Sequence, residues 1–168
     1  MAGDTVVIET SMGEFTIALD AERAPATVAN FLRYVDDGHY AGTLFHRVID
    51  NFMVQGGGYD LEYQKKPTRE PVQNEADNGL LNLRGTVAMA RTGEPHSATA
   101  QFFVNLADNA FLDHRGKRPR DWGYTVFGKV TAGMDVVDKI KGARTGARGS
   151  FQKDAPLEPV VIRTARRG

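Results

Sequence analysis

Hydrophobic and polar residues alternate near the amino terminus, over residues 6–8 and 15–19, on either side of Ser11-Met12-Gly13. A spacing of two is typical of strands with one buried face, so this stretch predicts a β-hairpin with glycine in its turn. Short apolar segments of the same kind recur along the chain. They predict further strands at residues 44–49, 52–55, 86–90, 101–105, 124–130 and 160–162.

Two stretches have helical spacing instead. Apolar residues recur at 28, 31, 32 and 35, between Pro25, which a first helical turn tolerates, and Gly38, which suits a helix end. Residues 134, 137 and 140 repeat the pattern, with Asp135 near the start and Gly142 past the last turn. Many short strands with only two helices predict an antiparallel β domain with helical caps, rather than alternating β and α units.

The stretches between these elements are polar. Residues 59–82 predict a long surface loop; its length is a mild hint of a binding element, and a loop without a function is an equal alternative. Residues 106–122 predict another loop, with Phe111 and Leu112 as an exposed apolar pair. Residues 141–149 form a basic segment rich in glycine.

Composition and charge restrict the possible functions. The 168 residues suit a single domain spanning 1–168, and 41% apolar with 25% charged residues is an ordinary globular composition. Lysine plus arginine equals aspartate plus glutamate at 21 each, which argues against nucleic-acid and anionic-membrane binding. The basic residues at 115, 117, 118 and 120 are flanked by Asp113 and Asp121, which favours a solvated loop.

The absence of cysteine excludes disulfides and thiolate sites, and is compatible with a reducing compartment. No apolar signal segment follows Met1, because Gly3, Asp4 and Glu9 interrupt the start. The expected location is therefore cytoplasmic.

The segment from Phe45 to Gly58 is the most informative stretch. Asp50-Asn51 has turn chemistry and would join two short strands. Strand alternation predicts that Phe45, Arg47 and Ile49 share one face, whereas His46 packs on the other and orients the hairpin. An arginine in so apolar a segment either neutralises a carboxylate or directs its donors into a cleft, and the residues alone leave both alternatives open.

Neighbouring side chains would suit a cleft. Phe52 and Met53 offer apolar surface and Gln55 offers a neutral amide, while Gln101 and Phe103 share a strand face that would extend the same cleft. Phosphate loops, paired metal-ligand spacings and a nucleophilic serine motif are all missing from the sequence. A catalytic cleft here should therefore need no nucleophile, metal or cofactor.

The chain resembles the cyclophilin family of peptidyl-prolyl cis/trans isomerases, and most closely its short bacterial cytoplasmic members. The resemblance covers about residues 6–162. It rests on the segments FHRVI (45–49), FMVQGG (52–57), MAR (89–91), SATAQFF (97–103) and VFGKV (126–130). It implies a closed eight-stranded antiparallel barrel with two helices and a filled core, so that the active cleft lies on the outside.

The resemblance also implies a role for each site residue. Arg47 would donate a hydrogen bond to the prolyl nitrogen in the twisted transition state, with Gln55 positioning it and Phe52 completing the catalytic group. The proline pocket would be formed by Phe52, Met53, Phe103, Leu112 and Tyr124. The groove for the extended peptide would be formed by Ala90, Arg91, Thr92, Gln101 and Phe111.

Three positions differ from well-known members of the family. Phe111 replaces a tryptophan, which should weaken binding of the cyclic peptide inhibitor cyclosporin because an indole donor is lost. Tyr124 replaces a histidine without threatening activity. Arg91 replaces an asparagine and leads to the hypothesis that acidic residues beside the proline are preferred.

The expected partners are proline-containing peptides and unfolded or partly folded proteins, bound by a monomer without a cofactor. The main alternative is a non-catalytic proline-peptide binding module or a holdase chaperone on the same fold. Intact Arg47, Phe52, Met53 and Gln55 argue against it. A small-molecule carrier, which would need an open barrel lumen, is a further alternative.

Overall fold

The computed structural model describes residues 4–168, so residues 1–3, including part of the start where no signal segment was expected, lie outside the described residues. The strands are β1 (Thr5–Thr10), β2 (Gly13–Leu19), β3 (Thr43–Leu44), β4 (Arg47–Ile49), β5 (Met53–Gly56), β6 (Thr86–Met89), β7 (Phe102–Asn105), β8 (Val126–Ala132), β9 (Thr145–Arg148), β10 (Phe151–Pro156) and β11 (Val161–Arg167). The helices are α1 (Pro25–Asp36) and α2 (Met134–Lys141). Within 4–168, neither helix has the length and apolarity that a membrane span requires.

Nine of the strands form one antiparallel sheet, in the order β3-β11-β1-β2-β8-β6-β7-β5-β4. The mainly β architecture with two helices is as predicted, but the sheet does not close into an eight-stranded barrel, because no hydrogen-bonded ladder within residues 4–168 joins its two ends. Both end strands come from one stretch of chain, since only Phe45 and His46 separate β3 from β4. The predicted strand over 44–49 is thus two short strands with different partners.

The interruption between β3 and β4 also shows that the predicted faces of residues 44–49 are wrong. The Phe45 amide donates to the Val160 carbonyl at 3.0 Å, whereas Arg47 is already paired with Gln55 on β5. Strict alternation fails where the chain changes partner, and Phe45 and Arg47 do not share a face. Phe45 is fully buried in the main core, while Arg47 is exposed.

Aromatic rings fill the space enclosed by the sheet. The ring of Phe31 on α1 lies 5.3 Å from that of Tyr40, 5.7 Å from that of Phe102 and 5.0 Å from that of Phe127, measured between centroids. All four residues are buried and belong to a core to which the sheet and both helices contribute. This packing gives no support to a carrier with an open lumen.

Two polar segments form strands, although their sequences did not predict them. β9 and β10 pair as a separate hairpin within the basic segment and beyond it, and β11 continues past the predicted 160–162 to Arg167. In β11, Arg166 forms ion pairs with Glu9 and Glu14, and Arg167 pairs with Asp36. Most side chains of these strands face solvent, so the alternation that identifies a half-buried strand is weak.

Candidate active site

The site lies on the outer face of the sheet, and strand register explains how it is assembled. Arg47 on β4 pairs with Gln55 on β5, which pairs with Phe103 on β7; Phe103 pairs with Ala88 on β6, and Ala88 with Val126 on β8. Register partners on antiparallel strands project their side chains to the same face. This row of five residues therefore carries two polar side chains into an apolar surface.

The other face of the same strands belongs to the main core, as Val54, Val87 and Val104 show. On the outer face a second apolar cluster forms instead. Its buried members are Met53, Ala88, Phe103, Leu112 and Val126, with Phe52 and Tyr124 packed against them. The sheet thus has apolar packing on both faces at this point, and the outer cluster forms the base of a pocket.

That pocket has a volume of about 120 Å³. It is lined by Arg47, Phe52, Met53, Gln55, Ala90, Arg91, Phe103, Leu112 and Tyr124. All nine are among the residues that the sequence proposed for the catalytic group, the proline pocket or the peptide groove. The structure brings these candidates together, and their individual roles remain predictions.

Three candidates lie outside the pocket lining. Gln101 accepts a hydrogen bond from the side chain of Gln55. The hydroxyl of Thr92 bonds to that of Ser97 at 2.8 Å. Phe111 packs on Phe52 with ring centroids 5.6 Å apart. Phe111 is 64% exposed, whereas Leu112 is only 8% exposed. The predicted exposed pair is therefore wrong for Leu112, because a 3₁₀ turn at Ala110–Leu112 directs only one of the two side chains inward.

A chain of hydrogen bonds holds the arginine of the pocket. Nη1 of Arg47 donates to Oε1 of Gln55 at 3.4 Å, and Nε2 of Gln55 donates to Oε1 of Gln101 at 3.0 Å. Gln101 in turn fits against Gly58, where an added Cβ would lie 2.4 Å from its side chain. Arg47 forms no ion pair with any residue from 4 to 168, so its guanidinium faces the pocket and is not used to neutralise a carboxylate.

Three asparagines that the sequence did not identify as site residues support this pocket. The carbonyl of Phe52 accepts two hydrogen bonds, from Nδ2 of Asn109 and from the amide of Leu106, both at 2.9 Å. The Oδ1 of Asn105 accepts from Asn109, and Nδ2 of Asn105 donates to Asn82. The available signal was three asparagines in or beside apolar segments, but single asparagines in loops are too common to identify a network.

A second arginine also lines the pocket. Nε of Arg91 donates to the carbonyl of Gly123 at 2.9 Å, and Nη1 donates to the carbonyl of Thr92 at 2.9 Å. Its Cζ lies 4.5 Å from the ring centroid of Tyr124, and that ring packs edge-on against Phe103 with centroids 5.8 Å apart. Arg91, Tyr124 and Phe103 thus form one continuous side of the pocket.

His46, predicted to be a packed residue, is buried beside Arg47. Its ring stacks on Phe151 of β10 and meets Tyr59 edge-on, with centroids 5.1 and 4.7 Å away. Burial, together with the charge of Arg47, lowers the pKa of His46 to about 4. The imidazole is therefore neutral at physiological pH and supplies packing under β4.

A much larger groove of about 810 Å³ lies elsewhere, between the end of β2 and the loop that precedes β6. Leu81 and Leu83, both about half exposed, line it. Its polar lining residues are Asp20, Glu22, Thr86 and Lys129, and none of the predicted site residues lines it. Among residues 4–168, no group of three or more histidine and acidic side chains is arranged to hold a metal ion.

Comparison with known proteins identifies the class of protein that this fold defines, the peptidyl-prolyl cis-trans isomerases. Residues 5–167 match the family described as cyclophilin type peptidyl-prolyl cis-trans isomerase/CLD, so the chain belongs to that family. Its activity is therefore the cis-trans isomerisation of X-Pro peptide bonds.

Two bacterial relatives are similar over nearly their whole length. Peptidyl-prolyl cis-trans isomerase cyp18 of Streptomyces antibioticus is 59% identical over 162 residues, covering 96% of this chain and 97% of the relative. Peptidyl-prolyl cis-trans isomerase B of Escherichia coli strain K12 is 54% identical over 157 residues, covering 94% and 95%.

The fold is also shared with a solved structure. A cyclophilin type isomerase of Cryptosporidium parvum superposes with a TM-score of 0.79 at 22% identity, covering 98% of this chain and 97% of the other. A second structure of that protein was determined in the presence of the dipeptide Ala-Pro, and it superposes with a TM-score of 0.78.

Proposed function

We propose that the 120 Å³ pocket is where this isomerase binds proline, and that Arg47 is its catalytic residue. The observation that carries the proposal is that one small pocket combines an apolar base with a guanidinium that forms no ion pair with any described residue. The pocket is far smaller than typical ligand pockets of about 300–1,000 Å³, which suits a single ring and not a whole peptide.

The chemistry needs no bond to be broken. Amide resonance sets a rotation barrier of about 20 kcal/mol, and rotation of the X-Pro bond removes that resonance. The prolyl nitrogen then regains a lone pair that can accept a hydrogen bond. A donor that forms this hydrogen bond only in the twisted state lowers the rotation barrier without strengthening the binding of the planar ground state.

Arg47 is suited to be that donor. Its guanidinium has five N–H groups, of which Gln55 uses one. Gln55 and Gln101 are positioning residues in this account, because their side chains connect Arg47 to the sheet instead of reaching the reacting nitrogen themselves. Phe52, Met53, Phe103, Leu112 and Tyr124 enclose the proline ring.

The flanking peptide would run past Ala90, Arg91 and Thr92, with Phe111 at the rim. Proline recognition through an apolar slot and backbone contacts tolerates many sequences, which suits unfolded and partly folded clients. The exposed phenyl ring of Phe111 has no N–H donor, so cyclosporin should bind weakly.

We further propose that residues 1–168 act as one monomeric domain in the cytoplasm. Support for one domain comes from the shared core of sheet and helices. Support for a reducing compartment comes from the lack of cysteine.

Backbone amide NMR would test the location of the binding site. Titration with Ala-Pro-Phe should shift the amides of Met53, Ala90 and Phe103, whereas Ala-Ala-Phe should shift them little. Leu81→Ala, in the larger groove, should leave peptide affinity unchanged. Shifts centred on Leu81 and Leu83 would contradict the proposal and place the peptide in the 810 Å³ groove.

A further inference from the structure

Two guanidinium groups line the proposed proline pocket, from different parts of the chain. Arg47 lies on β4, and Arg91 lies just after β6. None of the nine lining residues is acidic, and within residues 4–168 neither arginine forms an ion pair. The pocket of a chain with no net charge therefore carries two uncompensated positive charges.

Arg91 is held in place entirely by neutral groups. Its two hydrogen bonds go to the backbone carbonyls of Gly123 and Thr92, and its cation is stacked over the Tyr124 ring at 4.5 Å. Across the described part of the chain, its Nη2 has no acceptor. The side chain is thus ordered before a ligand arrives, while its charge and an N–H group remain available. An ordered donor loses less conformational entropy on binding than a mobile one.

The size of the pocket determines which part of a bound peptide would lie near the Arg91 guanidinium. A volume of about 120 Å³ leaves room for the proline ring alone. The residues before and after the proline must therefore lie at the rim, with their side chains near the lining arginines. A carboxylate is the group that a guanidinium recognises best, because its two oxygens match the planar fork of donors.

We infer that this isomerase prefers prolyl bonds with aspartate or glutamate directly beside the proline, and that Arg91 is the residue that determines the preference. The inference rests on the assignment of this pocket to proline. The effect is modest, since Arg91 is partly exposed and an exposed ion pair is screened by water and salt.

Matched peptides measured by exchange NMR would test the inference without a coupling protease. The pairs are Ala-Glu-Pro-Phe with Ala-Gln-Pro-Phe, and Ala-Pro-Glu-Phe with Ala-Pro-Gln-Phe. At low salt the native chain should show a glutamate-to-glutamine ratio of kcat/KM of about three to five in at least one pair. High salt should bring this ratio towards one.

Arg91→Gln should at least halve that ratio. Any general loss of activity through Tyr124 affects both peptides of a pair and cancels in the ratio. Arg33→Gln is the matched control, because it removes the same charge from the exposed face of α1 and should leave the ratio unchanged.

A native ratio near one in both pairs, or a ratio that Arg91→Gln leaves intact, would overturn the inference. Neither result would contradict the proposed function. The turnover of the glutamine peptides by the native chain tests that function separately.

Discussion

His46 and Arg47 are neighbours in sequence with opposite environments. His46 is 5% exposed among aromatic rings, while Arg47 is exposed and faces the pocket. The Nδ1 atom of His46 has no hydrogen-bond partner among the described residues, and the positive charge of Arg47 is close by. The imidazole therefore resists protonation, and acid should destabilise the folded protein.

The sign and size of this effect follow from the pKa. In the unfolded chain His46 titrates near its ordinary value of 6.5, whereas in the folded chain its pKa is about 4. Between these values the unfolded chain binds a proton that the folded chain does not, so stability falls as pH falls from about 6.5 towards 4. The shift corresponds to about 3 kcal/mol at full extent.

We expect His46→Phe, which retains aromatic packing, to remove this part of the pH dependence. Urea unfolding of both chains between pH 7 and pH 4 would measure it. The half-buried His39, whose pKa is lowered by burial, and the carboxylates remain in both proteins, so the difference between the two curves isolates His46. Parallel curves would show that His46 protonates freely in the folded state.

At the residue scale, short sequence motifs predict which side chains lie together at the pocket, while the role of each side chain stays a prediction. The segments around Arg47, Phe52 and Phe103 contain most of the pocket, and all nine lining residues were among the candidates. Sequence reasoning failed for Phe45, because alternation holds only while a strand keeps the same partner. It also missed Asn109, whose bond to the Phe52 carbonyl depends on a contact 57 residues away.

At the scale of elements, the loop over 59–82 has a structural task that its sequence does not show. Glu75 caps α1, whose own N-cap residue, Ala24, supplies no side-chain bond. Oε1 of Glu75 accepts from the amide of Thr27 at 2.8 Å, and Oε2 accepts from the amide of Ala26 at 3.3 Å. The cap thus comes from a distant loop, and an acidic group is placed at the positive end of the helix dipole.

Glu75→Ala should lower the free energy of unfolding by about 1–2 kcal/mol, because two helix amides and the Thr27 hydroxyl lose their acceptor. Urea denaturation would measure the loss. Glu70→Ala removes an exposed carboxylate from the same loop and should change stability by less than about 0.5 kcal/mol. Equal effects of the two substitutions would show that the cap contributes nothing.

Helices and buried strands were predictable at this scale, whereas exposed strands were not. α1 and α2 begin at the predicted Pro25 and Met134, since periodicity and helix-end residues agree there. The β9–β10 hairpin and the end of β11 were missed because most of their side chains face solvent. Their pairing is decided by neighbouring strands, which a local pattern does not record.

For the whole molecule, the packing of the sheet favours the outer face as the place where a peptide is bound. Among residues 4–168 the interior is occupied by the buried apolar and aromatic side chains of the main core. The outer face near the β4 end instead carries a small apolar pocket with fixed donors. A rigid sheet is suited to this task, because stabilising a twisted bond requires a donor whose position is set in advance.

In the proposed mechanism, Arg47 accelerates rotation of a prolyl bond bound in this pocket. Exchange NMR on Ala-Pro-Phe, with the native chain and with Arg47→Ala, tests it most directly. The native chain should shorten interconversion from tens of seconds by orders of magnitude, and the variant should lose at least about a hundredfold in rate while still binding the peptide. A variant as fast as the native chain would contradict the role of Arg47. A native chain that binds the peptide without accelerating interconversion would contradict catalysis at this pocket.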